Sequence, residues 1–358
     1  MLDRFKVPED IAVRVDSDDM RVTVERMFQS LGAPEDDAKR STDALIYADL
    51  RGIDSHGVSN MMPIYVKGMK EGWINPAPAW KIVRDAPAAA TIDSDRGLGL
   101  TVGPQAMELA LDKAEACGVG AVAVTNGQHF GAAAYHANMA LDRDMIGVAM
   151  TVGGLQVAPT FGAKAMVGLN PIALAAPTRN EAPFLFDASM SSVAGNKIRI
   201  ARRLGATVAP GWIAEPDGTP IMHESPVPED FLMLPLGGTR EIGSHKGYSL
   251  AVMVDILCGL LSGTGPGFLH PRGNSHHFLA YRIDAFTDLE SFKDDMDVFM
   301  KGLRETPTAP GHERVVYAGL LEHEAEEERR SRGIPYHPDV IDWFRKTATE
   351  LGVRHELG

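Results

Sequence analysis

The chain has 358 residues, 44% hydrophobic and 23% charged, an ordinary globular composition long enough for two or three domains. Its formal net charge of −13, from 48 Asp plus Glu against 35 Lys plus Arg, contains no long basic run and argues against nucleic acid or an anionic membrane as partner. Two cysteines, Cys117 and Cys258, exclude a disulfide framework and a thiolate metal site; with no secretory leader and no run of about 18 apolar residues, the expected location is the cytoplasm.

From Ser17 to Leu50 apolar residues recur at helical spacing through VTVERMFQSLG and DDAKRSTDALIYADL, which predicts two amphipathic helices joined at GAPED. The motif Arg51-Gly-Ile-Asp-Ser-His-Gly57 follows where the second helix ends, and another helix is expected over Asn60 to Glu71. From Trp80 the short runs KIVRD, AATID, VGAVAVT, MIGVAMTV, PIALAAP and FLFDAS alternate with helices such as Gly103 to Ala116, the pattern of an α/β domain with interior strands. Beyond Lys246, GYSLAVMVDILCGLLSG reads as a long apolar helix, GTGPGFLHPRGNSHH as a loop and FLAYRIDAF as one more strand. From Glu290 the chain is charged and helical, with EHEAEEERRSRG as an exposed face. Helical ends around an α/β centre predict a discontinuous helical domain of residues 1–78 with 249–358, and an α/β domain over 79–248.

Gly118-Val-Gly-Ala-Val-Ala123 has the form of a dinucleotide fingerprint, but it follows a helix and enters a strand, the reverse of what a pyrophosphate site needs. It is expected to be a helix C-cap. Asp54-Ser55-His56-Gly57 sets a histidine beside a hydroxyl and a carboxylate, an arrangement able to move a proton; it also reads as a helix cap with a surface histidine. Asn126-Gly-Gln-His-Phe-Gly131 delivers His129 at a strand's C-terminal end, where α/β sheets meet ligands, although a hydrogen-bonded core histidine has the same pattern. Asp187-Ala188-Ser189, followed by Ser191, Ser192 and Lys197, suits ribose and phosphate contacts, and Lys246 among glycines suits a phosphate or carboxamide oxygen. The His276-His277 pair and the other histidines lack ligand spacing, and HExxH, CxxC and GxSxG are absent.

Taken together, YADLRGIDSHGVSN, GWINPAP, VTNGQHFGAAAYHANMA, IGVAMT, GLNPIALAAP, FDAS with VAGNK, PGW, and PLGG with SHKGYSLAVMVDILCGLLSG resemble, in order and spacing, the malate/L-lactate dehydrogenase family that includes ureidoglycolate dehydrogenase, sulfolactate dehydrogenase and piperideine-carboxylate reductase. That family is unrelated to the Rossmann-type lactate and malate dehydrogenases. The resemblance covers most of Tyr47 to Gly263. It implies a non-Rossmann NAD(P)-binding α/β domain joined to a helical domain, and a homodimer with its active site at the interface. It further implies hydride transfer between NAD or NADP and C2 of a small 2-hydroxy, 2-oxo or imino acid. By the same resemblance, proton transfer falls on His56, supported by Ser55, and on His129, and cofactor contacts fall on His129, Phe130, Gly131, Ala132, Ala133, Asp187, Ala188, Ser189 and Lys246.

Several positions depart from the family pattern. Asn60, with His56 an expected substrate-binding residue, stands where many members carry an arginine for the substrate carboxylate, so either another cation supplies that charge or the substrate is not the usual simple carboxylate. Gly127-Gln128 replaces a usual Ser-Asn, KGYSL replaces KGYGL, and Ala318 to Glu322 replaces a PGE pattern, which leaves NAD and NADP both open. The alternatives to a 2-hydroxy acid dehydrogenase are a cyclic imino-acid reductase on the same scaffold, a metal-dependent hydrolase using some of the 12 histidines, and an inactive nucleotide-binding protein.

Overall fold

A computed structural model describes residues 5–270 and 273–357. In chain order the elements are β1 (Val13–Val15), α1 (Ser17–Ser30), α2 (Glu35–Leu50), α3 (Val58–Lys70), β2 (Lys81–Ala86), β3 (Ala89–Asp93), α4 (Gly99–Cys117), β4 (Val119–Gly127), α5 (Ala133–Asn138), β5 (Met145–Val152), β6 (Ile172–Ala176) and β7 (Phe184–Ala188). They continue with α6 (Gly195–Leu204), β8 (Ile213–Ala214), β9 (Leu232–Met233), α7 (Ser244–Val254), β10 (Asn274–Arg282), α8 (Leu289–Arg304), α9 (Leu320–Arg332), β11 (Ile334–Tyr336) and α10 (Pro338–Glu350).

Seven strands form the central sheet in the order β2-β3-β4-β10-β5-β6-β7. Only β3 and β4 pair in parallel, connected by α4; every other neighbouring pair is antiparallel. α4 ends at Gly118, whose φ of 86° is the left-handed cap expected of the glycine run. One face of the sheet buries Val122, Ala149 and Phe278 under Met107 and Leu111 of α4 and Ala137 of α5. The other buries Val148, Met150 and Val152 under Val254 and Cys258, where α7 continues into a π-helical turn, Asp255–Leu260.

Two expectations are corrected. Strand β10 was assigned with residues 249–358 to a helical body, yet it lies at the centre of the α/β sheet between β4 and β5. It also takes in Asn274 to His277, expected as loop, and stops before Ile283 to Ala285, which turn instead of continuing the strand; nothing local reveals which sheet it completes. Strand β2 was expected to be interior and is instead an exposed edge, as KIVRDA with its three charges suits.

The ends of the chain do meet. β1 pairs with β11, and Met27 and Phe28 of α1, Leu45 of α2, Met62 and Tyr65 of α3 and Phe344 of α10 share one apolar core. Nor is α9 merely an exposed face. Its Arg329 is buried and ion-pairs with Asp54 at 2.5 Å, while Glu326 receives Arg51 at 2.7 Å.

Candidate active site

The pairing pattern makes β3, β4, β5 and β7 run in one direction, so their C-terminal ends meet at one edge of the sheet. That edge is where α/β sheets take ligands. β4 runs into Gln128 to Gly131, β5 into Gly153 and Gly154, and β7 into Ser189. The loop between α2 and α3 brings Ser55 and His56 to the same place. The rings of His56 and His129 are stacked, with centroids 5.7 Å apart and planes 10° from parallel.

Each ring is oriented by its Nδ1. Ser55 Oγ lies 2.8 Å from Nδ1 of His56. At His129 the backbone N–H of Gly131 donates to Nδ1 at 3.2 Å, and the Tyr65 hydroxyl reaches the same atom at 2.7 Å. A backbone N–H can only donate, so the neutral His129 ring carries its proton on Nε2. Solvent reaches both rings, but protein crowds them. Burial pushes His56 down to about 4, helped by the Lys197 charge, and His129 down to about 3, helped by His56, His276 and Arg199. Both are neutral at neutral pH.

Phe130 is fully buried between His136 at 4.8 Å and His276 at 4.9 Å, a burial worth about 1.5–3 kcal/mol that anchors the turn after His129. Gly131 adopts φ +76°, and a Cβ there would lie 2.6 Å from Leu100 Cδ2. Ala132 and Ala133 then present only methyl groups at the start of α5. Across from them Asp187 accepts a hydrogen bond from Ala134 N at 2.8 Å, Ala188 ends β7, and the Ser189 hydroxyl accepts from Ser191 at 3.0 Å. Asp187 is open to solvent on one side, yet the protein around it raises its carboxyl to about 6, against the opposing Ala134 N–H.

Lys197 stands on the first turn of α6. Its ammonium is half-buried and, among the described residues, makes no hydrogen bond or ion pair, while Asp187 and Glu322 act on it from farther away. Burial lowers its pKa. Its charge acts on His56.

Two expected site residues stand apart. Asn60 is 5% exposed and both ends of its amide are engaged, Nδ2 with Asp54 O at 2.9 Å and Oδ1 with Arg203 Nη2 at 3.1 Å. Lys246 lies exposed on the first turn of α7 near His245 and Arg240, and no described contact joins it to the histidine pair. Two residues escaped the sequence reading. Tyr65 has the spacing of a core residue on α3, and Asn196, which donates to Ser55 O at 2.8 Å, was one letter of VAGNK without a role. Among the described residues, no group of three or more His, Cys, Asp or Glu is arranged around a common metal position.

Residues 15–345 match a family model described as malate/L-lactate dehydrogenase. The chain is 41% identical over 350 residues to a malate dehydrogenase of Pyrococcus abyssi, covering 96% of each. It is 34% identical over 339 residues to an L-sulfolactate dehydrogenase of Methanocaldococcus jannaschii, covering 92% of this chain and 95% of that protein. The solved structure of malate dehydrogenase from Pyrococcus horikoshii OT3 is similar with a TM-score of 0.90 and 36% identity, covering 98% of both chains.

Proposed function

The chain belongs to the malate/L-lactate dehydrogenase family and is a hydroxy acid dehydrogenase, and from that premise we propose that His56 and His129 handle the substrate's C2 oxygen while Lys197 receives its carboxylate. The observation that carries this reading is the stacked, neutral histidine pair beside an unpaired ammonium. Family membership implies a nicotinamide cofactor. The residues suit one: Asp187 and Ser189 offer polar atoms beside the small run Gly131 to Ala133, where Leu100 behind Gly131 leaves no room for a side chain and keeps the backbone approachable. The turn His129 to Ala133, anchored by the buried Phe130, together with Asp187, Ala188, Ser189 and Lys246, would hold it. When bound, nicotinamide supplies the acceptor or donor of a hydride.

The protein's own part is proton and charge management. In the reducing direction His129 donates a hydrogen bond from Nε2 to the C2 oxygen, stabilising the charge that develops there. With Ser55 Oγ accepting from Nδ1–H, the neutral His56 ring keeps a free Nε2 lone pair that takes the hydroxyl proton in the oxidative direction; in the reducing direction the ring first takes a proton from solvent and then gives it from Nε2 to that oxygen. The Lys197 charge favours the neutral form of His56. Arg199, which acts on His129 from the same helix, is a second cation for a substrate with two anionic groups, such as malate or sulfolactate. Asn60 contributes indirectly, by holding Arg203 and the Asp54 carbonyl.

We further propose a cytoplasmic homodimer. On α7 and the π-helical turn Leu250, Met253, Ile256 and Leu260 recur along one face, all at least 37% exposed, and an apolar stripe of this kind favours association with a second copy. Two unpaired cysteines suit a reducing compartment. Sedimentation would reveal the dimer. A panel of 2-oxo acids and cyclic imino acids, each with NADH and with NADPH, tests the reaction and separates it from imino-acid reduction. Turnover of cyclic imines alone would replace the hydroxy acid reading.

A further inference from the structure

The loop that carries Ser55 and His56 rests on a carboxylate that has no part in the proton transfer. Asp49, near the end of α2, is 1% exposed. Its Oδ2 accepts from Val58 N, the first residue of α3, at 3.0 Å and from the hydroxyl of Tyr336, the last residue of β11, at 2.8 Å. Gly57 is packed so tightly onto the same carboxylate that a Cβ there would lie 1.6 Å from Oδ1. His56 is therefore one residue from a glycine seated on Asp49, and Asp49 is tied to a strand 287 residues later in the chain. Arg329 of α9 closes the other side, donating to the Asp49 carbonyl and to the Asp54 carboxylate.

We propose that Asp49 and Tyr336 are positioning residues, through which the C-terminal strand holds the His56 loop against His129 while the Asp49 carboxyl is ionised. The proposal rests on His56 taking part in proton transfer. Its physical basis is that both donors meet one oxygen, Oδ2, and an ionised carboxylate accepts there more strongly than a protonated one, whose hydrogen would sit on Oδ1 beside Gly57. Burial and the neighbouring Asp54 push the Asp49 carboxyl up to about 7; Val58 N–H, the Tyr336 hydroxyl and the Arg329 guanidinium pull against them. Arg203 and His337 line the same small cavity behind the loop. His56 and His129 are held at about 4 and about 3, whereas the Asp49 carboxyl, in direct contact with the loop, changes charge near neutrality.

The test measures kcat and KM against pH for wild type, Tyr336→Phe and Asp49→Asn, with amide hydrogen exchange of the peptide covering residues 54–61. Losing the Tyr336 hydroxyl removes a donor to the ionised form. The pH at which kcat falls on acidification should then rise by about half to one unit, the equivalent of one hydrogen bond, with KM less affected. Exchange of the loop peptide should quicken. In Asp49→Asn that acid limb should vanish, and if this variant fails to fold, Tyr336→Phe carries the test alone. A folded Tyr336→Phe protein with unshifted limb and unchanged exchange overturns the proposal. Faster exchange with an unshifted limb keeps the latch and counts instead against His56 as a proton-transfer group.

Discussion

A methyl group placed on Gly127 would lie 2.9 Å from Nε2 of His276, so the ring of His276 occupies the space that any side chain at position 127 would need. His276 is fully buried, stacked on Phe130 with planes 7° from parallel, and bonded through Nδ1 to the Thr151 hydroxyl at 2.8 Å. The departure at Gly127 from the family's usual serine thus has a steric counterpart on the central strand β10. Gly127→Ser should cost about 1–3 kcal/mol as an overpacked site. Because the two positions contact each other, Gly127→Ser combined with His276→Ala should be less destabilised than the sum of the single changes. Additive melting data across that cycle would contradict the packing account.

The histidine pair can be separated from mere architecture. His56→Asn and His129→Asn should each lower turnover by roughly two to four orders of magnitude, the usual span for a general acid or base. The double variant should be little worse than the poorer single one, since groups acting as a unit are non-additive. Steady-state kinetics on folded variants provide the check, and near-normal rates in both single variants would remove the pair from the chemistry.

Lys197→Met keeps the length of the side chain and deletes its charge. If the ammonium receives the substrate carboxylate, loss of a charge-assisted contact worth about 1.5–3 kcal/mol should raise KM for the acid by roughly ten- to a hundredfold. Cofactor affinity, read by fluorescence of the reduced nicotinamide, should change little. An unaltered KM would assign the carboxylate to another cation, with Arg199 the next to test.

Acid should destabilise the fold through its buried histidines. Burial lowers His56, His136 and His277 to about 4 and His129 and His276 to about 3, against an ordinary value near 6.5. Below that ordinary value the unfolded chain binds protons that the folded chain refuses, so stability is complete above about pH 6.5 and drains as pH falls toward 4. Asp49, raised to about 7, acts in the opposite direction across that window and Asp187, raised to about 6, over most of it, but these two are outnumbered by the five histidines. Melting temperature followed from pH 7 to pH 4 should therefore fall, and a flat or rising profile would contradict these assignments.

Much of this was legible in the sequence because the signals are local. The helices flanking GAPED, the six runs that became β2 to β7 and the cap at Gly118 follow from periodicity and glycine chemistry alone. His56 and His129 lay in distinct motifs, but only the fold stacks them. What escaped were relationships between distant segments. Only the second half of β10 was visible as a strand, and its place between β4 and β5 depends on pairing across more than a hundred residues. Tyr65 looked like core, Asn196 like filler and Arg329 like an exposed charge, because burial and partners decide their roles. Asn60 showed the opposite problem: its motif position suggested a substrate contact, whereas both ends of its amide are engaged by Arg203 and Asp54.

The central claim is hydride exchange at C2 of a hydroxy acid, and isotope transfer tests it most directly. Reduced nicotinamide carrying deuterium at C4 is incubated with the protein and a 2-oxo acid such as oxaloacetate, and the product is examined by mass spectrometry and proton NMR. The account predicts a 2-hydroxy acid with deuterium on C2, formed one for one with oxidised nicotinamide and strongly suppressed in His129→Asn. A folded protein that binds the cofactor yet transfers no deuterium to any 2-oxo acid, with either NADH or NADPH, would contradict it.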